Sequence, residues 1–283
     1  MPFVTPKKSL GQNFLRDENI ARNIITGIRP SKNDVIVEIG PGHGVLTKYF
    51  VNTAARYIAF EIDERVIEEL RSKFSSPTTT IVHKDFLDVS LKSLSREYAA
   101  ALRIVGNIPY NITSPILFHI LDNAEQGNVV SDVTIMMQKD VAQRLIAVPK
   151  TKAYGILSVF AQYYADVKIL FSVSPNCFYP APNVMSAIVQ LKIKKNAEWA
   201  SNEEIFRAIV RTAFGKRRKI LLNALQYFPG LEQLQNNGKP FLEDVAATAN
   251  ISLNARPEEL SVRDFVSLSN AFTQHLSEFS PIE

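Results

Sequence analysis

The chain has 283 residues, 46% of them hydrophobic, and a formal net charge of +4. That is enough to bury a substantial core in two domains of unequal size, and too mildly basic for the surface as a whole to meet a polyanion. One cysteine, Cys177, and four histidines exclude an intramolecular disulfide framework and leave no zinc-ligand spacing, and with no apolar run near the roughly 18 residues of a membrane span and no signal-peptide core, a soluble cytoplasmic protein is expected.

The opening stretch, Lys7-Lys8-Ser9-Leu10-Gly11-Gln12-Asn13-Phe14-Leu15, sets a glycine and two amides among basic and apolar residues. It reads either as a ligand-binding segment or as an arm packed by Phe14 and Leu15. A helix is predicted over residues 17–28. The apolar run 35–39, interrupted only by Glu38, then breaks into Gly40, Gly42 and Gly44. Such a run suits a buried parallel strand, and the glycines let the backbone pass close to a ligand before a helix at about residue 45. The spacing is not the GxGxxG of a dinucleotide site. A second strand, 57–61, ends on Glu61, placed to accept both hydroxyls of a ribose. Alternatively, Glu61 and Asp63 merely open the helix predicted over 63–74. A third strand, 79–83, leads to Asp85 and Phe86. Asp85 either accepts a hydrogen bond from an adenine amine, with Phe86 beside the ring, or caps a turn.

The fourth strand, 102–106, runs into Asn107-Ile108-Pro109-Tyr110, the most specific chemical signal in the chain. An amide oxygen and a nearby carbonyl can both accept from an exocyclic amine, Pro109 stiffens the turn, and Tyr110 offers an aromatic surface. A helix over 114–121, a fifth strand over 133–137 and a helix carrying Asp140, Gln143 and Arg144 follow, then an apolar stretch, 154–164. Alternation in 167–173 and 187–193 predicts two paired closing strands. The loop between them has three prolines in residues 175–182 and carries Phe178 and Tyr179, which either stack on an unpaired base or plug a core gap. Past residue 195 the pattern becomes helical, opened by a capping box at Ser201-Asn202-Glu203-Glu204. Lys216, Arg217, Arg218 and Lys219 form a basic run there, either a phosphate clamp or a solvated face. The expected architecture is α/β: a Rossmann-like domain with its N-terminal arm over 1–195 and a smaller all-helical domain over 196–283.

Together, KKSLGQNFL from 7, EIGPGHG from 38, NIPYNITSPILF from 107, QKDVAQRL from 138, YGILSVFAQYY from 154, FYPAPNVMSAIV from 178, FGKRRKILLNAL from 214 and RPEELS from 256 resemble the small-subunit ribosomal RNA adenine dimethyltransferases over nearly the whole chain. The resemblance implies S-adenosyl-L-methionine as methyl donor. It implies as acceptors two adjacent adenines in the 3′-terminal hairpin loop of 16S rRNA, each dimethylated at N6, and a role in small-subunit biogenesis. By position, Asn13 and Leu15 match donor-contacting residues, Gly40 the glycine turn, Glu61 the ribose-binding acid and Asp85 the acid that meets the donor's adenine. Asn107, Ile108, Pro109 and Tyr110 match the catalytic loop, with Asn107 also at the donor, and Phe178 matches an aromatic near the target base. Lys216 to Lys219 would bind RNA. Phe86 stands where many relatives have a small residue. Direct displacement without a metal is expected, by a monomer. The rivals are a 23S rRNA adenine methyltransferase and an assembly factor without catalysis.

Overall fold

The computed structural model describes residues 5–7, 10–124, 127–195, 199–216, 218–231 and 238–279. The described residues fall into two compact units, one within 1–143 and 164–195, the other within 144–163 and 196–283. In the first unit the chain runs through β1 (Phe14–Leu15), α1 (Glu18–Ile28), β2 (Val35–Ile39), α2 (Thr47–Phe50), β3 (Arg56–Glu61), α3 (Glu64–Lys73), β4 (Thr79–His83), α4 (Leu91–Tyr98), β5 (Leu102–Asn107), α5 (Thr113–Asp122) and β6 (Val130–Gln138). After α6 (Lys139–Leu145) it returns as β7 (Ala165–Val173), β8 (Phe178–Tyr179) and β9 (Ser186–Ile193).

Seven of these strands form one sheet in the order β4-β3-β2-β5-β6-β9-β7. The first five are parallel, and β9 is antiparallel to both neighbours. All five residues of β2 are buried, as expected of a central strand covered on both faces, which is why the run shows no alternation. The strand order reverses between β2 and β5, so a crevice opens at their carboxyl ends. The predicted closing pair is present, with β9 seated between β6 and β7.

Local chemistry explains the element ends. Asp17 caps α1 by accepting from the Asn19 and Ile20 amides at 2.8 and 3.2 Å, and Asp63 caps α3 through the Arg65 amide. The helix expected from about residue 45 is shorter, Thr47–Phe50 only. Gly40, Gly42 and Gly44 have φ of 62°, 54° and 80°, and a chain that keeps returning to left-handed backbone cannot start a right-handed helix. At the opposite edge of the strands, Arg103 reaches Asp132 at 2.7 Å, Asp34 at 2.6 Å and the Ile28 carbonyl at 2.6 Å, tying β5, β6 and the end of α1 together.

The second unit is helical: α7 (Ile156–Tyr164), α8 (Glu203–Gly215), α9 (Leu221–Leu225), α10 (Gly238–Ala249) and α11 (Val262–Phe279). The boundary expected at 195 differs in one respect, since residues 144–163 lie in this unit. Their aromatic rings explain why. Tyr163 stacks on Phe206 at 4.0 Å, Phe160 meets Phe206 at 6.0 Å, and Tyr154 meets Phe214 at 6.1 Å while its hydroxyl donates to the Leu260 carbonyl. The cap of α8 is Asn202, accepting from the Glu204 and Ile205 amides, rather than the Ser201 box expected. Ser201 is engaged instead by Asn270, which accepts from both its amide and its hydroxyl. Among the described residues, no helix is long and apolar enough to cross a membrane.

Candidate active site

The carboxyl ends of β2, β3, β4 and β5 open into one cleft. Asn13, Gly40, Glu61, Asp85, Asn107, Ile108, Pro109 and Tyr110 all line it, together with Gln12, Phe14, Lys84 and Phe86. Residues separated by up to about a third of the chain thus converge because each follows directly on a parallel strand or lies on the arm.

Gly40 leaves room at the floor. A Cβ built there would meet, among the described residues, only the Asn107 carbonyl oxygen, at 3.9 Å. At Gly42 a Cβ would strike the Phe14 ring at 2.8 Å, so this glycine is where the arm packs onto the turn. Phe14 also meets His43 edge-on at 4.6 Å.

Two carboxylates at the end of β3 divide their work. Glu61 is buried, and its oxygens accept from the Gly42, Ile62 and Asp63 amides at 3.1, 2.9 and 3.0 Å. Burial pushes its carboxyl above the ordinary value, and the three backbone bonds oppose that shift. Asp63 is held well below the usual carboxylate range, chiefly by the Arg65 guanidinium, which donates to both of its oxygens. Gln12 donates to Asp63 at 2.9 Å and accepts from the Lys7 amide at 2.8 Å, while Arg65 also donates to the Thr5 carbonyl. The arm is thereby clasped to the start of α3. Asp85 caps its turn, accepting from the Leu87 amide at 2.9 Å, and it also lines the cleft.

Asn107 donates through Nδ2 to the Asn13 carbonyl at 2.8 Å. Only the nitrogen can make that bond, so Oδ1 is turned away from the arm. The Tyr110 hydroxyl lies 2.6 Å from the Ser186 hydroxyl on β9, which anchors the ring, and burial pushes its phenol up. The Pro109 carbonyl is taken by the Ile112 amide and the Thr113 hydroxyl.

Two predicted residues are not on the cleft. Leu15 and Phe178 are each 5% exposed, face each other across the β1–β8 pair and belong to the core. Leu15 lines the small neighbouring cavity beside Glu38, His43 and Leu46. Phe178 therefore packs the core, and the exposed ring of its loop is Tyr179. A two-residue strand points alternate side chains to opposite faces. In the helical unit, Lys216, Arg218 and Lys219 are exposed, and Arg217 lies outside the described residues.

Gln12 and Phe14 line the site, and Asp63 and Ser186 hold its residues Gln12 and Tyr110, without any of the four having been singled out as site residues. The amide density of 11–13 pointed toward Gln12, whereas nothing in the sequence pairs Ser186 with Tyr110.

A profile of the ribosomal RNA adenine dimethylase family matches residues 4–272. The chain is 39% identical over 267 residues to a ribosomal RNA small subunit methyltransferase A of Francisella tularensis subsp. tularensis, covering 93% of this chain and 96% of that protein. It is 42% identical over 265 residues to a protein of the same name from Chlorobium phaeobacteroides, covering 94% and 93%. Among solved structures, its fold is similar to that of a dimethyladenosine transferase from Plasmodium falciparum, with a TM-score of 0.78, 23% identity and coverage of 92% of this chain and 98% of that one. It is also similar to the 23S rRNA methyltransferase ErmE, with a TM-score of 0.66, 24% identity and coverage of 93% and 100%.

Proposed function

Since the chain belongs to the family of ribosomal RNA adenine dimethylases, we propose that it dimethylates N6 of two adjacent adenines in the 3′-terminal hairpin loop of 16S rRNA. S-adenosyl-L-methionine is the donor, the acceptor sits in the small subunit or its precursor, and the enzyme is a cytoplasmic monomer with a role in small-subunit biogenesis. The observation that carries this reading is the convergence of Gly40, Glu61, Asp85 and Asn107 on one cleft at the strand-order switch.

The cleft fits such a donor on its own chemistry. Gly40, in left-handed backbone at φ 62°, lines the floor without a side chain. Glu61 would hold a ribose, Asp85 an adenine amine with Phe86 beside it, and the Asn13 segment the remaining end. When bound, the donor supplies a methyl group on a sulfonium, open to displacement by an amine nitrogen.

The protein's own task is to make adenine N6 nucleophilic. Its lone pair is delocalised into the ring. Asn107 Oδ1 accepts one of its N–H bonds and, with Pro109's carbonyl engaged, the Ile108 carbonyl accepts the other. That favours a pyramidal amine, and the Tyr110 ring fixes the base plane. Holding the amine in line contributes a proximity effect of up to roughly 7 to 11 kcal/mol in ideal cases. The base must be unstacked, at a cost of a few kcal/mol that is smaller in a loop than in a duplex.

The test is transfer from radiolabelled donor to unmethylated small subunits and, in parallel, to 23S rRNA, with nuclease digestion to identify the product. Dimethyladenosine confined to 16S rRNA is expected. Label in 23S rRNA alone, or none in either, would overturn the reading.

A further inference from the structure

The β1–β8 pair puts Phe14 opposite Tyr179 and Leu15 opposite Phe178, so one face of the ribbon is buried and the other carries Phe14, Arg16 and Tyr179. Phe14 lines the cleft. Beside it, the Arg16 guanidinium lies 3.9 Å over the Tyr179 ring, and the Arg16 amide donates to the Cys177 carbonyl at 2.8 Å, extending the ribbon. Tyr179 is 44% exposed, and among the described Phe, Tyr and Trp side chains of the sheet unit it is the exposed one. Pro180 and Pro182 stiffen the chain directly after it.

We infer that Arg16 and Tyr179 form a ledge for an unpaired nucleotide flanking the target adenine, with the base stacked on the Tyr179–Arg16 pair and the phosphate met by the guanidinium. The ledge is continuous with the catalytic cleft through Phe14. An aromatic ring paired with a guanidinium plane is the combination that takes splayed-out bases of single-stranded RNA whatever their identity. A ring already held by a stiff loop loses little freedom when a base lands on it. This inference rests on the RNA substrate proposed above and adds to it a second binding position outside the methyl-transfer pocket.

The experiment compares Tyr179→Ala, Tyr179→Phe and Arg16→Ala with the unaltered enzyme in steady-state transfer to unmethylated small subunits. Affinity for a fluorescein-labelled unpaired oligoribonucleotide is measured alongside. Tyr179→Ala should raise KM for the subunit about tenfold and weaken the oligonucleotide similarly, with kcat and donor affinity within about twofold. Tyr179→Phe should behave as the unaltered enzyme. Arg16→Ala should also lower the salt dependence of RNA binding by about one charge. A KM for Tyr179→Ala within about twofold of the unaltered enzyme, or a Tyr179→Phe defect as large as that of Tyr179→Ala, would overturn the ledge. If the unaltered enzyme transfers methyl to no RNA, the proposed function falls, and the ledge still stands or falls by the oligonucleotide affinity of Tyr179→Ala.

Discussion

Asn107 is held by one end of its amide and offers the other. Its Nδ2 donates to the Asn13 carbonyl at 2.8 Å, and flipping the amide would set two oxygens against each other, so Oδ1 is held on the side away from the arm, and in the proposed reaction it needs no rearrangement to accept from an amine. Such preorganised groups, removed singly, typically cost ~10² to 10³ in kcat. Asn107→Ala is therefore expected to lose turnover by that order. Donor affinity should weaken by no more than roughly fivefold, the worth of one neutral hydrogen bond to the arm at about 1 kcal/mol. Single-turnover transfer and equilibrium donor binding separate the two. Turnover near that of the unaltered enzyme would remove Asn107 from the chemistry.

At the scale of elements, the basic run just past α8 has two competing explanations. Cations at a helix C-terminus offset its macrodipole, and Lys216 sits over the Tyr227 ring at 5.0 Å, so the run has structural reasons to exist without RNA. Phosphate binding makes a different demand, since each neutralised phosphate releases counterions. Replacing Lys216, Arg218 and Lys219 together by Gln should flatten the slope of log affinity against log salt by about 2 to 3, with turnover at saturating RNA unchanged. If the slope is unaltered, the cations serve the helix end. The same element shows how a local signal can be read one residue out of place. The Ser201 box satisfied the S-x-x-E pattern, yet Asn270, from another helix, accepts from Ser201 and leaves Asn202 to cap α8.

Across the whole molecule, the features legible in the sequence are those made by neighbours in the chain. The parallel sheet showed in short, mostly apolar runs, and the cleft showed because Gly40, Glu61, Asp85 and Asn107 each come at or just after the end of such a run. What stayed hidden depends on distant partners. The side of the ribbon that Phe178 occupies is set by its register on Leu15, Arg103 finds Asp34 69 positions away, and the stretch 144–163 joins the helical unit through partners distant in the chain, the rings of Phe206 and Phe214 and the Leu260 carbonyl among them. Glu38 belongs with these. It is buried in β2, and the Thr47 hydroxyl at 3.0 Å and the Tyr57 hydroxyl both donate to its Oε2. Burial raises its carboxyl from 4.5 to about 7, against the pull of those two bonds. The unfolded chain would thus release this proton at lower pH than the folded one. The stability it contributes is complete below about pH 4.5 and is lost as pH rises through about 7. Glu38→Gln keeps a side chain that can bond Thr47 and Tyr57 but cannot ionise. Its denaturation midpoint, followed by circular dichroism, should gain on that of the unaltered protein between pH 5 and pH 8. Glu61, shifted in the same direction, tilts both curves the same way. Parallel curves over that range would mean that Glu38 is already ionised in the fold at pH 5, with its two hydroxyl partners sustaining a buried charge.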